Sequence, residues 1–107
     1  MGIFFAIFVL ATAAPTFSQR SDTVSAIVGT DITLRCIATG QPEPLYEWMR
    51  DGRVVQSRNR LTVHAGSLTI TSVSLHDTGR YDCVAENVVG RASKSIFLQV
   101  QGEEHSY

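Results

Sequence analysis

The side chains with the most distinctive chemistry in this sequence are two cysteines. Cys36 and Cys83 lie 47 residues apart, and each occupies an inward position in a segment where apolar and polar residues alternate. The chemistry that this placement suggests is a disulfide bond that ties two strands together across a core. In the chain-entropy model, closing a loop of that length adds roughly 4 kcal/mol to the free energy of unfolding. Two free, buried thiols in a reducing compartment are the alternative.

The three histidines raise the question of metal binding or acid–base catalysis. His64, His76 and His105 are isolated from one another, and the cysteines are assigned to the bridge, so we predict no metal site. The dipeptide His76-Asp77 could belong to a catalytic triad, but the sequence has no Gly-x-Ser-x-Gly turn and no glycine-rich phosphate loop. We therefore expect no catalysis and no cofactor.

Length and charge exclude several classes of partner. The chain has 107 residues, with 9 Lys and Arg against 10 Asp and Glu and a formal net charge of −1. This length suits one domain, and the balanced charge argues against nucleic acid as a partner. A local basic cluster stands out against this balance: Arg50, Arg53, Arg58 and Arg60. It fits a heparin-type polyanion site or, in the simpler interpretation, solvated charges that discourage strand pairing at a sheet edge.

The two ends of the chain differ from its middle. Residues 1–13 contain an apolar run too short to span a bilayer, and the run ends in Ala11-Thr12-Ala13. This ending is typical of a secretory signal peptide with Ala14 as the mature N-terminus, although no basic residue precedes the run. A non-native start or a membrane-skimming segment is the alternative. Residues 101–107 are polar and are expected to form a tail or linker. The sequence has no second long apolar run, so we expect no stable membrane anchor in this chain.

Between these ends, short runs of β-forming residues alternate with turn-forming residues. Asp51-Gly52 lies between two such runs and is a strong signal for a tight hairpin. No segment has the i, i+3, i+4, i+7 spacing of a core helix. The predicted strands are residues 16–19, 24–28, 31–38, 45–49, 53–56, 60–63, 67–70, 79–86 and 91–100. The pattern predicts an all-β sandwich or barrel.

The residues before the second cysteine form a specific pattern, D-x-G-x-Y-x-C over residues 77–83. Tyr81 shares the inward face with the cysteine, and its hydroxyl can bond to the backbone of the preceding corner. Asp77 can accept backbone N–H bonds or pair with Arg60. Trp48, on a neighbouring predicted strand, is placed to pack against the disulfide.

Together with Leu34-x-Cys36 and Leu68-x-Ile70, this pattern resembles an immunoglobulin domain. The segments 38–44, 85–90 and 98–100 are similar to the I-set type, as in the modules of peroxidasin-like and hemicentin-like matrix and adhesion proteins. The resemblance covers residues 14–100. It implies an all-β, immunoglobulin-like β-sandwich of two antiparallel sheets with one inter-sheet disulfide. The structural core residues that it implies are Leu34, Trp48, Leu68, Asp77 and Tyr81.

In such a sandwich the predicted strands 45–49, 79–86 and 91–100 share one sheet. Alternation then turns Met49, Val84 and Phe97 outward, where we expect these large apolar side chains to lie side by side and face solvent. An apolar patch with a polar rim predicts a protein-binding face. Scattered surface apolar residues, or cover from Val54-Val55, are the alternative. The predicted face comprises Met49, Val84, Phe97, Glu47 and Glu86.

The resemblance implies a secreted, extracellular protein-binding module for cell adhesion, matrix assembly or receptor recognition. The expected partner is a protein ligand, with another immunoglobulin module as one candidate. Two alternatives remain open at this point: a fragment of a larger peroxidasin-like enzyme, and an intracellular muscle-type I-set module. Cleavage after residue 13 and an intact disulfide favour the extracellular interpretation, whereas a reduced Cys36 favours the intracellular one.

Overall fold

The computed structural model describes residue 2 and residues 11–102 of the chain. Within these residues the regular elements are strands and one short 3-10 turn, Leu75–Asp77. The strands are β1 (Ala13–Thr16), β2 (Ser21–Ile27), β3 (Ile32–Arg35), β4 (Thr39–Gln41), β5 (Leu45–Arg50), β6 (Arg53–Val54), β7 (Leu61–His64), β8 (Ser67–Ile70), β9 (Gly79–Glu86) and β10 (Arg91–Gln101). No helix in this described part is long and apolar enough to cross a membrane. Most of the predicted signal segment, and residues 103–107 of the predicted tail, lie outside the described residues.

Two main sheets contribute to one core. The larger sheet has the strand order β2-β10-β9-β5-β6, and the smaller sheet has the order β3-β8-β7. β1 and β4 form a separate two-stranded ribbon. Strands with one apolar set of side chains bury that set between the layers, which is why the alternation in the sequence produces a sandwich. The predicted all-β sandwich is confirmed.

One strand pair differs from the expected antiparallel arrangement. β2 runs parallel to β10, with residues 21–27 beside residues 95–101. The first two predicted strands, 16–19 and 24–28, are also displaced from β1 and β2. Side chains alternate with the same period in parallel and antiparallel strands, so the pattern of a single strand does not reveal the direction of its partner.

The turn at Asp51-Gly52 joins β5 to β6, as the sequence predicts. Both residues have a positive φ, 53° and 76°, as a two-residue hairpin turn of type I′ requires. The pairing places Met49 opposite Val54. The return strand ends at Val54 and is therefore shorter than the predicted strand 53–56.

The core is built around the disulfide. Cys36 directly follows β3 and Cys83 lies in β9, so the bond joins the smaller sheet to the larger one across a Cα–Cα distance of 6.3 Å. The predicted inter-sheet disulfide is confirmed. The other buried residues of the core cluster are Leu34, Trp48, Leu68, Ile70, Val73, Tyr81, Ile96, Leu98 and Val100.

Candidate functional site

Trp48 lies at the centre of the core and supports the larger sheet from inside. Its side chain is fully buried in the same cluster as both cysteines. The indole N–H donates to the carbonyl oxygen of Ala65 at 3.3 Å, so the polar end of the side chain has a partner. Leu34 and Leu68, which are also fully buried, lie directly opposite one another in the β3–β8 pair. These side chains hold the two layers at a fixed separation.

Gly66 allows the β7–β8 hairpin to pass close to the disulfide, a role that the sequence interpretation missed. Gly66 is buried, and its carbonyl oxygen accepts the Cys36 amide N–H at 2.7 Å. A Cβ atom built on Gly66 would overlap the Cys36 carbonyl oxygen. The only signal in the sequence is the pair Ala65-Gly66 between two strands, which indicates a turn but not a close approach.

The start of β9 is fastened to the 3-10 turn before it. The Tyr81 hydroxyl donates to the backbone carbonyl oxygen of Asp77 at 2.7 Å. Burial raises the pKa of Tyr81, and the Arg50 guanidinium, 5.1 Å from the ring centroid, partly offsets this effect. The same guanidinium donates to the carbonyl oxygens of His76 at 2.7 Å and Thr78 at 3.0 Å. The tyrosine therefore keeps its proton, and the corner is held from both sides.

The Asp77 carboxylate is buried and fully engaged. It accepts hydrogen bonds from Arg60 at 3.1 and 3.3 Å and from the Ser74 amide N–H at 2.7 Å. Burial by itself raises the pKa of a carboxyl group, but the bonds from Arg60 and Ser74 outweigh burial, so the pKa of Asp77 lies below its ordinary value. The role that this geometry supports is structural, because both carboxylate oxygens are bonded within the fold and the side chain is only 7% exposed.

The two described histidines are not paired with a carboxylate. His76 is exposed, whereas the carboxylate of its neighbour Asp77 is buried and already bonded. His64 is exposed as well, and His105 lies outside the described residues. Across residues 11–102, no three His, Cys, Asp or Glu side chains come together in a way that could hold a metal ion.

The solvent side of β5, β6, β9 and β10, here termed the outer face, arranges its apolar residues differently from the expectation. Met49 lies opposite Asp82, and Phe97 lies opposite Arg80. Arg80 and Asp82 form an ion pair at 2.9 Å, which stands between the two apolar side chains. The prediction that Met49, Val84 and Phe97 lie side by side is therefore wrong for Phe97. Alternation along a strand determines the face of the sheet to which a side chain points. The register between strands determines which side chains of adjacent strands become neighbours on that face.

Met49 has an apolar neighbour that comes from β6 instead. Val54 lies directly opposite Met49 and is half-exposed. Val84 lies on the diagonal from Met49, which is within reach of a long side chain. Val54, Met49 and Val84 form what we term the valine–methionine patch. Phe97, which is 44% exposed, stands apart from this patch.

Polar and acidic groups border the patch. Glu47 is exposed and lies directly opposite Val84. One row further along the sheet, Glu86 pairs with Arg91 at 3.1 Å. The outer face thus combines exposed apolar side chains with a border formed by Glu47 and two ion pairs, an arrangement that suits a protein surface better than a small-molecule pocket.

Comparison with known proteins agrees with this architecture. Residues 15–100 match the family model of the immunoglobulin I-set domain. Among curated relatives, Hemicentin-2 of Mus musculus is 40% identical over 96 residues, which make up 89% of this chain and 2% of hemicentin-2. Peroxidasin homolog of Mus musculus is 39% identical over 87 residues, which make up 80% of this chain and 6% of that protein. The chain spans only a small part of the relatives that it matches.

Solved structures show the same fold. The N-terminal eight Ig domains of Down Syndrome Cell Adhesion Molecule, isoform 1.30.30, match with a TM-score of 0.78 and 27% sequence identity, over 86% of this chain and 15% of that chain. The resemblance to I-set modules of hemicentin-like and peroxidasin-like proteins is confirmed. With its sandwich, its inter-sheet disulfide and a family match over nearly the whole described chain, this protein belongs to the immunoglobulin I-set family.

Proposed function

We propose that the chain is an extracellular protein-binding module that serves in cell adhesion, matrix assembly or receptor recognition and has no catalysis of its own. Membership of the I-set family and likeness to a cell adhesion molecule support this proposal. The match to peroxidasin homolog covers 6% of that protein, so it supports a shared module and not a shared enzymatic activity.

The observation that carries the proposal is the exposed apolar surface on the outer face. Val54 and Phe97 are 50% and 44% exposed, and Met49 and Val84 are partly exposed. A contiguous or closely spaced set of apolar side chains with a polar border is typical of a recognition surface. Covering a single phenylalanine can remove about 150–250 Å² from water.

The proposed partner is a protein, with a second immunoglobulin module as one class of candidate. Its contacts would be Met49, Val84 and Phe97, with Glu47 and Glu86 at the border. Because the Arg80–Asp82 ion pair divides the apolar surface, the contact area on each side is small. Interfaces below about 1,200 Å² of total buried area are usually weak and transient, and we propose this kind of binding for a single module.

We also propose that residues 1–13 are a signal peptide and that the mature chain is secreted. One contact bears on the cleavage point. The Asn87 side-chain amide donates to the carbonyl oxygens of Ala13 at 2.7 Å and Pro42 at 3.0 Å. Cleavage before Ala14 would remove the first bond and the Ala13–Gln41 pair between β1 and β4, and it would leave the second bond and the Thr16–Thr39 pair. N-terminal sequencing of the secreted chain, with Ala14 as the expected first residue, tests this proposal.

The binding proposal is tested by comparing partner capture from extracellular fluid with the chain and with a variant that carries Met49→Glu plus Phe97→Glu. Both side chains lie on the outer face, so we expect the free energy of unfolding to change by less than about 1 kcal/mol. We expect the captured partner to be lost. A matched control is Ile37→Glu plus Leu75→Glu, which adds the same charge at residues that are 69% and 59% exposed elsewhere on the surface.

Retention of the partner by the outer-face variant, or its loss from the control alone, would contradict the proposed face. The redox state of Cys36 separates the remaining alternatives. A chain held inside cells with reduced cysteines would favour the muscle-type interpretation. A longer transcript that also encodes haem-ligating sequence would favour the peroxidasin-like fragment.

A further inference from the structure

A concavity of about 680 Å³ opens beside the outer face, at the edge of the sandwich where the chain passes from β6 to β7. We term it the arginine cleft. Cations and aliphatic groups line it together, a combination that separates it from an ordinary charged edge. The six residues that matter for its chemistry are Arg50, Arg53, Arg58, Val54, Val55 and Leu61.

The three arginines differ in what they are free to bind. Arg50 is engaged, since it donates to two backbone carbonyl oxygens of the corner before β9 and lies 4.0 Å from the carboxylate of Asp51. Among the residues that the structure describes, the guanidinium groups of Arg53 and Arg58 have neither a hydrogen bond nor an ion pair. Two unpaired cations at one edge create a local positive potential on a chain whose net charge is −1.

Backbone hydrogen bonds fix the main chain at both of these arginines. Arg53 follows the Asp51-Gly52 turn and pairs with Arg50 in the β5–β6 hairpin. Arg58 and Leu61 exchange two backbone hydrogen bonds, of 2.9 and 2.7 Å, across a tight turn. Two arginines on an ordered main chain lose less backbone conformational freedom on binding than two on a loose loop.

On the β7 side of the cleft the sheet edge is already closed, so recognition on that side has to use side chains. The Ser57 hydroxyl accepts the amide N–H of Val63, in β7, at 2.8 Å. Arg58 takes up both the N–H and the carbonyl oxygen of Leu61. The segment before β7 thus covers its free backbone groups, and a ligand cannot add to this edge as an extra strand.

We propose that the arginine cleft binds an acidic, partly apolar peptide segment of a partner protein. A carboxylate of the segment pairs with Arg53 and Arg58, because planar guanidinium groups match carboxylates in a bidentate geometry. An apolar side chain next to that carboxylate packs against Val54, Val55 and Leu61. The site shares Val54 with the valine–methionine patch but relies on Arg53 and Arg58 instead of Met49 and Phe97, so this inference goes beyond the outer-face binding proposed above.

The composition of the cleft favours a peptide over a sulfated polysaccharide. A polyanion with regularly spaced charges needs a row of available cations. Beyond Arg58 the next cation, Arg60, is already bonded to the carboxylate of Asp77 at 3.1 Å, and Asp51 places a negative charge at the opposite end. Aliphatic lining gives a polysaccharide nothing to bind, whereas it suits a valine or leucine beside a glutamate.

The test is a titration of the isotope-labelled full chain with the capped peptide acetyl-Val-Glu-Val-Glu-Val-amide, followed by NMR. We expect chemical-shift changes centred on residues 51–61 and an affinity about five- to tenfold lower for Arg53→Gln plus Arg58→Gln, since each exposed carboxylate pair contributes modestly. The control Arg20→Gln plus Arg35→Gln makes the same charge change at two exposed arginines elsewhere, and we expect its affinity to stay within about twofold because general charge attraction is screened.

Several results would overturn the inference. Equal weakening by the two arginine pairs would show general attraction and no site. If a peptide with Gln in place of each Glu binds with equal affinity, the carboxylate has no role in recognition. Binding of a heparin oligosaccharide through Arg53 and Arg58, with no shifts from the peptide, would assign the cleft to a polyanion. Each of these results leaves the Met49 and Phe97 experiment unaffected, and thermal unfolding of every variant verifies that it is folded.

Discussion

The inner and outer faces of the larger sheet are made by alternate residues of the same strands, yet they are organised by different rules. Trp48 is fully buried, and Met49, the next residue, is partly exposed. On the inner face, any apolar side chain of suitable volume finds neighbours, because the opposite sheet covers the whole layer. On the outer face, a neighbour exists only where the strand register supplies one, as Val54 does for Met49. The inner face therefore determines stability, and the outer face is free to determine recognition.

The largest expected effect comes from removing the central side chain of the inner face. Trp48→Ala should lower the free energy of unfolding by about 3–5 kcal/mol, because it leaves a cavity against the disulfide. Met49→Ala, on the same strand and the opposite face, should cost less than about 1 kcal/mol. Urea denaturation of both variants measures the difference. Similar losses for the two would contradict the division between the faces.

A second test concerns Asp77, the one buried charged residue in the part of the chain that the structure describes. Asp77→Asn should lower the free energy of unfolding at neutral pH by about 1–2 kcal/mol, since it weakens the bonds from Arg60 and from the Ser74 amide. The pKa of Asp77 is depressed in the folded state, so its stabilising effect is present above its ordinary pKa and is lost as the pH falls through the folded pKa.

Measuring the free energy of unfolding at acidic pH tests the direction of this effect. In the unaltered chain, the contribution of Asp77 should decline below the ordinary carboxyl value of 3.8. Asp77→Asn should show a shallower decline there, and the two chains should converge at low pH. A constant difference in the free energy of unfolding from neutral to low pH would mean that the carboxylate charge has no part in the corner.

The smallest expected effect lies on the outer face. Asp82 accepts hydrogen bonds from Arg80 at 2.9 Å and from the Ser95 hydroxyl at 2.7 Å, all near solvent. Asp82→Ala should therefore cost only about 0.5 kcal/mol or less in the free energy of unfolding. Thermal denaturation measures this cost, and a loss comparable to that of Asp77→Asn would show that the outer face also determines stability.

Much of the inner face was predictable from the sequence because successive residues of a strand point alternately to its two faces. The facing of Cys36, Trp48, Tyr81 and Cys83 follows from alternation, and the Asp51-Gly52 hairpin follows from the positive φ that such a turn requires. These predictions need no knowledge of which strand lies beside which. The family resemblance added that the two cysteines belong to different sheets.

The features that sequence reasoning missed all depend on pairing between strands. The parallel pairing of β2 with β10 is invisible in the alternation of either strand. The register between strands must be known to predict that Val54 is the neighbour of Met49. The same holds for the Arg80–Asp82 ion pair that separates Met49 from Phe97. The close approach of Gly66 to the disulfide requires the full packing of two elements.

The central claim is that one sheet stabilises the fold with its inner face and binds a protein partner with its outer face. Hydroxyl-radical footprinting of the chain, free and with its captured partner, tests both halves at once. We expect Met49 and Phe97 to be oxidised in the free chain and protected in the complex, while Trp48 stays unoxidised in both. Unchanged oxidation of Met49 and Phe97, with new protection at the exposed Ile37 just after β3 of the smaller sheet, would contradict the claim.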